Sequence, residues 1–162
     1  MTQIIMLEFA RIEAAHLAGL VGQFIELLDD SASVDEDAAL ARLVPDAYRD
    51  DDAAAQEFRD LTQDDLLARR RSDATLVLRD LPRANDLPDS PDDAAMLEQI
   101  TIALSHAEAQ AWMRTLAAVR LVLATRLGIT DTDTHAESDP RFGIYDWLGY
   151  RLHVLVEALE AH

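Results

Sequence analysis

The chain has 162 residues, 31 of them acidic and 14 basic, for a formal charge of −17, and every basic residue is arginine. Binding to nucleic acid or anionic lipid rests on cationic side chains replacing counterions around phosphates, so this balance argues against either as a direct partner; Arg69, Arg70 and Arg71 form the sole basic run. The absence of Cys excludes disulfides, thiol catalysis and thiolate zinc sites, and a chain of this length buries roughly 70% of its unfolded surface on folding, enough for a core without such staples.

Thr2 to Leu7 is apolar and β-branched and reads as a short strand. Its apolar run stops at Glu8, well short of a signal-peptide core, and no later stretch approaches the roughly 20 apolar residues of a membrane span, so a cytoplasmic protein without membrane contact is expected. From Phe9 the pattern changes: Phe9, Ile12, Leu17, Leu20, Val21, Phe24, Leu27 and Leu28 recur at three- and four-residue spacing, which predicts an amphipathic helix ending near Asp29 and Asp30. Gly19 and Gly22 inside it each cost up to about 1 kcal/mol of helix propensity, which predicts close approach of another backbone there. Asp29 to Asp37 reads as a linker, and Ala38 to Val44 as a short helix stopped by Pro45. Ala53 to Leu61 reads as a second short helix anchored by Phe58 and Leu61. Thr62 with Asp65 then resembles a capping box that opens a longer helix through Leu66, Leu67, Leu76 and Leu78 to Leu81, ended by Pro82. Arg83 to Asp93 reads as a solvated loop.

Ile100, Ile102 and Leu104 alternate with Gln99, Thr101 and Ala103, the period of a half-buried strand whose natural partner is the N-terminal segment. Ser105 and Glu108 form a capping box, and the helix they open runs to Leu127, with Gly128 at the C-cap. After Trp112 this helix is apolar on nearly every face, which predicts a central, surrounded position. A polar loop from Asp131 to Asp139 follows, then a final helix from Ile144 to about Ala161 presenting Trp147, Leu148, Leu152, Leu155, Val156 and Leu159. The predicted fold is mainly α: one irregular helical bundle over residues 1–162 with a small two-stranded β element.

Few patterns point to chemistry. Glu13 and His16 stand at i and i+3, half of the Glu-x-x-His motif of di-iron bundles, but the other half is absent, so they read as a helix-surface pair and no metal is assigned. Asp131, Asp133, His135 and Glu137 alternate as in a calcium loop but lack its turn glycine and distal glutamate. No nucleophile elbow and no glycine-rich phosphate loop occurs, so neither a catalytic residue nor a cofactor is assigned. His106 and His162 occupy surface positions, and His153, near the core stripe of the last helix, reads as a partly buried histidine. Arg120 lies between Val119 and Leu121 in the most apolar helix. A buried guanidinium needs a partner, which predicts a carboxylate beside it from Glu13, Asp146 or Glu157.

Three blocks carry a family resemblance: Arg42-Leu43-Val44-Pro45-Asp46-Ala47; Glu57-Phe58-Arg59 with Leu61-Thr62; and Trp112 through Arg120-Leu121 to Thr125-Arg126-Leu127-Gly128-Ile129. With Glu13, Leu17, Leu20 and Gln23 before them and Tyr145-Asp146-Trp147-Leu148-Gly149 after, the chain resembles the actinobacterial family catalogued as domain of unknown function number two-thousand-seventeen. The resemblance implies cytoplasmic proteins without an established activity, often encoded beside the adaptor of the Clp protease, some of them labelled transcriptional regulators. Where that family commonly has Asn-Asp before the Arg-Leu pair, this chain has Ala117, Ala118 and Val119.

The functional expectation is a non-enzymatic, protein-binding regulatory module, acting in regulated proteolysis or transcription through a protein partner. Its acidic residues Asp50, Asp51 and Asp52, with the short helices between Ala38 and Leu61, would present a docking face to a basic partner. The alternative is a small-molecule-binding protein or enzyme with a pocket between helices near Arg120, Trp112 and Trp147. A two-fold homodimer through the glycine-containing first helix or the Trp-bearing last one is compatible with either.

Overall fold

A computed structural model describes residues 4–30, 43, 52–81, 93–128 and 143–161. The elements run β1 (Ile4–Ala10), α1 (Arg11–Asp30), α2 (Asp52–Asp80), α3 (Asp93–Leu97), β2 (Gln99–Ser105), α4 (His106–Leu127) and α5 (Gly143–Glu160). Among the described residues the fold is therefore mainly α, with one two-stranded sheet, as the sequence patterns predict.

The two alternating segments pair antiparallel, from Ile4 opposite Ser105 to Ala10 opposite Gln99. That register turns Ile5, Leu7, Phe9, Ile102 and Leu104 inward and leaves Ile4, Met6, Glu8, Thr101 and Ala103 exposed. A two-stranded ribbon is marginal alone, and here its apolar face lies in the core shared with the helices. β1 continues to Ala10, past the expected end at Leu7, and α1 begins at Arg11 instead of Phe9. Phe9 satisfies strand alternation as well as helical spacing. The ribbon claims it because its ring packs beside that of Trp112, 6.0 Å between centroids.

α1 buries Ala14, Leu17, Val21 and Phe24 along one stripe. α2 is a single 29-residue helix where two were expected. No Gly or Pro lies between residues 52 and 81 to break it, and an internal Thr costs only tenths of a kcal/mol, less than the backbone hydrogen bonds that an interruption would forfeit. Its second half contributes Ala74 and Val77 to the core, followed by Leu81. α3 begins at Asp93, the last residue of the expected loop, and covers residues for which the sequence patterns predict no element. The rest of that loop, the expected linker beyond Asp30, the short helix before residue 52 apart from the buried Leu43, and the acidic loop at 131–139 lie outside the described residues.

α4 has both predicted caps. The Ser105 hydroxyl accepts from the Glu108 N–H at 3.1 Å, the Glu108 carboxylate accepts from the Ser105 N–H at 3.4 Å, and Gly128 ends the helix at φ 79°, a conformation that favours glycine. The helix packs against α2 and α5 and buries Ala109, Trp112, Leu116 and Val119. It is not surrounded, however. Gln110, Arg114 and Ala117 form an exposed stripe, and Leu121, Val122 and Leu123 are half-buried, since alanine carries too little apolar surface to demand cover on every side. α5 closes the bundle with Tyr145, Leu148 and Leu155 buried and Leu152 and Leu159 packed beside them.

The helix glycines also depart from expectation. A Cβ added at Gly19 or Gly22 would meet nothing within 4 Å, whereas one added at Gly149 would lie 2.9 Å from the Nη2 of Arg120. Gly19→Ala and Gly22→Ala should each raise stability by about 0.5–1 kcal/mol. Gly149→Ala should gain less or lose, because the Arg120 guanidinium must shift. Paired thermal melts check this, and destabilisation by Gly19→Ala would contradict it.

Candidate functional site

Where β1 turns into α1, the side chain of Glu13 reaches back along the chain and accepts the Ala10 N–H at 3.0 Å, as a residue three positions past a helix cap does. The same carboxylate accepts from Trp147 Nε1 at 2.7 Å and from Arg151 Nη2 at 3.0 and 3.1 Å. Arg151 also donates from Nη1 to the Glu8 carbonyl at 2.9 Å and lies 4.4 Å over the Phe9 ring. One carboxylate and one guanidinium thus fasten α5 to the strand–helix junction. Burial pushes the Glu13 carboxyl up, but the donors from Ala10, Arg151 and Trp147, with the Arg151 charge, outweigh it and hold the group below its ordinary pKa.

Beside this cluster runs a cleft of about 530 Å³, lined on α1 by Glu13, Ala15, His16, Gly19, Leu20 and Gln23 and on α5 by Gly143, Ile144 and Trp147. Leu20, Ile144 and the indole make its walls apolar, and Ile144 is half-exposed at 51%. Gly19 leaves its stretch of α1 without a side chain, which keeps the cleft open. His16 and Gln23 are exposed polar groups along the α1 wall. Glu13 is already occupied by three donors, so at this site it acts as an anchor for Trp147 and not as a spare base. The arrangement suits recognition of an apolar group with polar edges, a common composition for binding sites.

The family model for a domain of unknown function, DUF2017, matches residues 2–159. The chain belongs to the DUF2017 family. No curated protein and no solved structure matches it. The DUF2017 match takes in both strands, the described helices except the last residue of α5, and the whole of the cleft.

In this DUF2017 chain the residues expected to form a site are dispersed. Arg120 is half-buried, donates from Nε to the Tyr145 carbonyl at 3.3 Å and lies 3.9 Å over the Tyr145 ring, a cation–π contact. Two of the carboxylates proposed for it serve others: Glu13 pairs with Arg151, and Glu157 with His153 at 3.0 Å. His153 itself is 69% exposed, not partly buried, because it stands one helical turn from Glu157 on the solvent face. Trp112 is fully buried and donates from Nε1 to Asp80 at 3.2 Å; of Arg120, Trp112 and Trp147, the cleft between α1 and α5 is lined by Trp147. Asp50 and Asp51 lie outside the described residues; Asp52 opens α2. Among the described residues no three His, Asp or Glu side chains gather as a metal site, and no helix is long and apolar enough to cross a membrane. The Glu13–Trp147–Arg151 cluster went unforeseen. Its local signal was the helix start, since Glu13 falls at the capping position only once the helix begins at Arg11.

Proposed function

We propose that this DUF2017 chain is a cytoplasmic regulatory module whose cleft between α1 and α5 receives a segment of a partner protein with an apolar face and basic flanks. The observation that carries it is the cleft itself, with apolar walls and a half-exposed Ile144, set in a chain of net charge −17. Apolar contact supplies affinity in such a groove, and the acid excess of the chain, to which Asp50, Asp51 and Asp52 contribute charge, steers basic partners and rejects acidic ones. Arg120 supports the site from behind, holding the Tyr145 turn that precedes Trp147.

The test is capture of partners by the tagged protein from lysate of its source cells at low and high salt, beside the variant Asp50→Lys/Asp51→Lys/Asp52→Lys. One near-stoichiometric partner, weakened by salt and by charge reversal, is the expected result. Binding indifferent to both would remove the electrostatic part of the proposal. The volume of the cleft also lies within the range of small-molecule sites, which supports a second reading as a ligand carrier. Reproducible thermal stabilisation by one class of metabolite, abolished by Gly19→Leu, would favour that reading.

A further inference from the structure

The basic run Arg69-Arg70-Arg71 is divided by the fold. Arg71 turns toward α1 and grips both oxygens of Asp29, at 2.7 and 3.2 Å. Arg69 and Arg70 make no ion pair or side-chain hydrogen bond among the described residues. Both line a pocket of about 480 Å³ between α2 and α4, with Leu66, Ser72, Asp73 and Arg114. Arg114 is held there by a two-pronged pair with Asp73, through Nε at 2.9 Å and Nη2 at 3.2 Å, which leaves Nη1 outside the pair. Among its described lining residues three guanidinium groups stand against one carboxylate, on a chain that is otherwise strongly acidic.

Asp73 is taken up by Arg114, so Arg69 and Arg70 face the pocket without a carboxylate of their own among the described residues. A dianion would supply the negative charge. Guanidinium forks match tetrahedral phosphate oxygens through paired N–H donors, and the Ser72 hydroxyl adds a further donor. We infer that this pocket binds the dianion of a phosphate monoester. The volume exceeds that of a phosphate group, and Leu66 offers an apolar wall to the group that carries it. The net charge of −17 disfavours a polynucleotide, whose extended backbone needs more cationic partners than one pocket supplies.

The probe is phenyl phosphate, titrated at low ionic strength into ¹⁵N-labelled protein while the arginine Nε–Hε resonances are followed. Saturable shifts at Arg69, Arg70 and Arg114 are expected, with affinity falling about tenfold or more in Arg69→Ala/Arg70→Ala. Both side chains are unpaired, so the variant should keep its melting temperature, and the wild-type resonance map stands independently of it. Non-saturable shifts spread over all arginines, or equal affinity in the double variant, would overturn the inference. A phosphoserine peptide titrated alongside separates the two sources of such a group. A tenfold preference for the peptide places it on a protein partner, and equal affinity places it on a free metabolite.

Discussion

Replacing Trp112 with alanine should cost about 3–5 kcal/mol, the largest effect expected of any single substitution in this chain. The indole is 0% exposed and sits where three elements meet. Its ring lies beside Phe9 of the ribbon, its Nε1 donates to Asp80 at the end of α2, and its backbone belongs to α4. Truncation therefore opens a cavity at the junction of sheet and helices and removes a donor from a mostly buried carboxylate. Trp112→Phe keeps most of the packing and loses the hydrogen bond, for about 1 kcal/mol from that bond plus a smaller cavity cost than alanine leaves. Urea denaturation of the two variants separates the contributions. A loss below about 1 kcal/mol for the alanine variant would show that the indole does not organise the core.

The second large effect is expected at Glu13. Glu13→Ala removes the acceptor shared by Ala10, Trp147 and Arg151, and leaves an arginine whose side chain is only 19% exposed without its carboxylate. A loss of about 2–3 kcal/mol follows from a partly desolvated charge and two further stranded donors. Glu13→Gln, which keeps one acceptor oxygen, should lose less. The same residue sets a pH dependence. Its carboxyl is held below the value of an unfolded glutamate, so its contribution is complete above about pH 4.5 and disappears as pH falls through the lower folded value. Wild-type stability should therefore decline below about pH 4.5, and Glu13→Gln should flatten that decline. Asp29, lowered by its hydrogen bonds from Arg71, acts in the same direction, which makes Asp29→Asn the control. An identical acid profile for wild type and Glu13→Gln would contradict the assignment.

Patterns that are local in the chain proved readable. The alternation at Ile100, Ile102 and Leu104, the Ser105–Glu108 capping box, Gly128 and the apolar stripe of α5 each depend on neighbours within a turn or two, and each is found in the structure. The blocks that resemble the DUF2017 family likewise lie within the stretch its model matches. The errors arose where a residue serves two local patterns or waits on a distant one. Phe9 fits a strand as well as a helix, and only Trp112, more than a hundred residues away, decides. Thr62 with Asp65 looks like a helix start, yet nothing before it stops the helix already running. Choosing Arg151 over Arg120 as the partner of Glu13 requires knowing which turn of α5 faces the strand–helix junction, 138 residues along the chain. The cleft was hidden for the same reason, since Gly19 and Trp147 become neighbours only when α1 and α5 pack.

Gln23 is exposed on the cleft wall, and Gln110 is exposed on the open stripe of α4. A photo-crosslinking amino acid placed at each position in turn, activated in the source cells, asks directly whether the cleft receives a partner. The expected result is one dominant adduct from position 23, mapping to a segment with apolar residues flanked by Lys or Arg, with none from position 110. Equal adducts from both positions, or capture of an acidic segment at position 23, would contradict a docking cleft between α1 and α5.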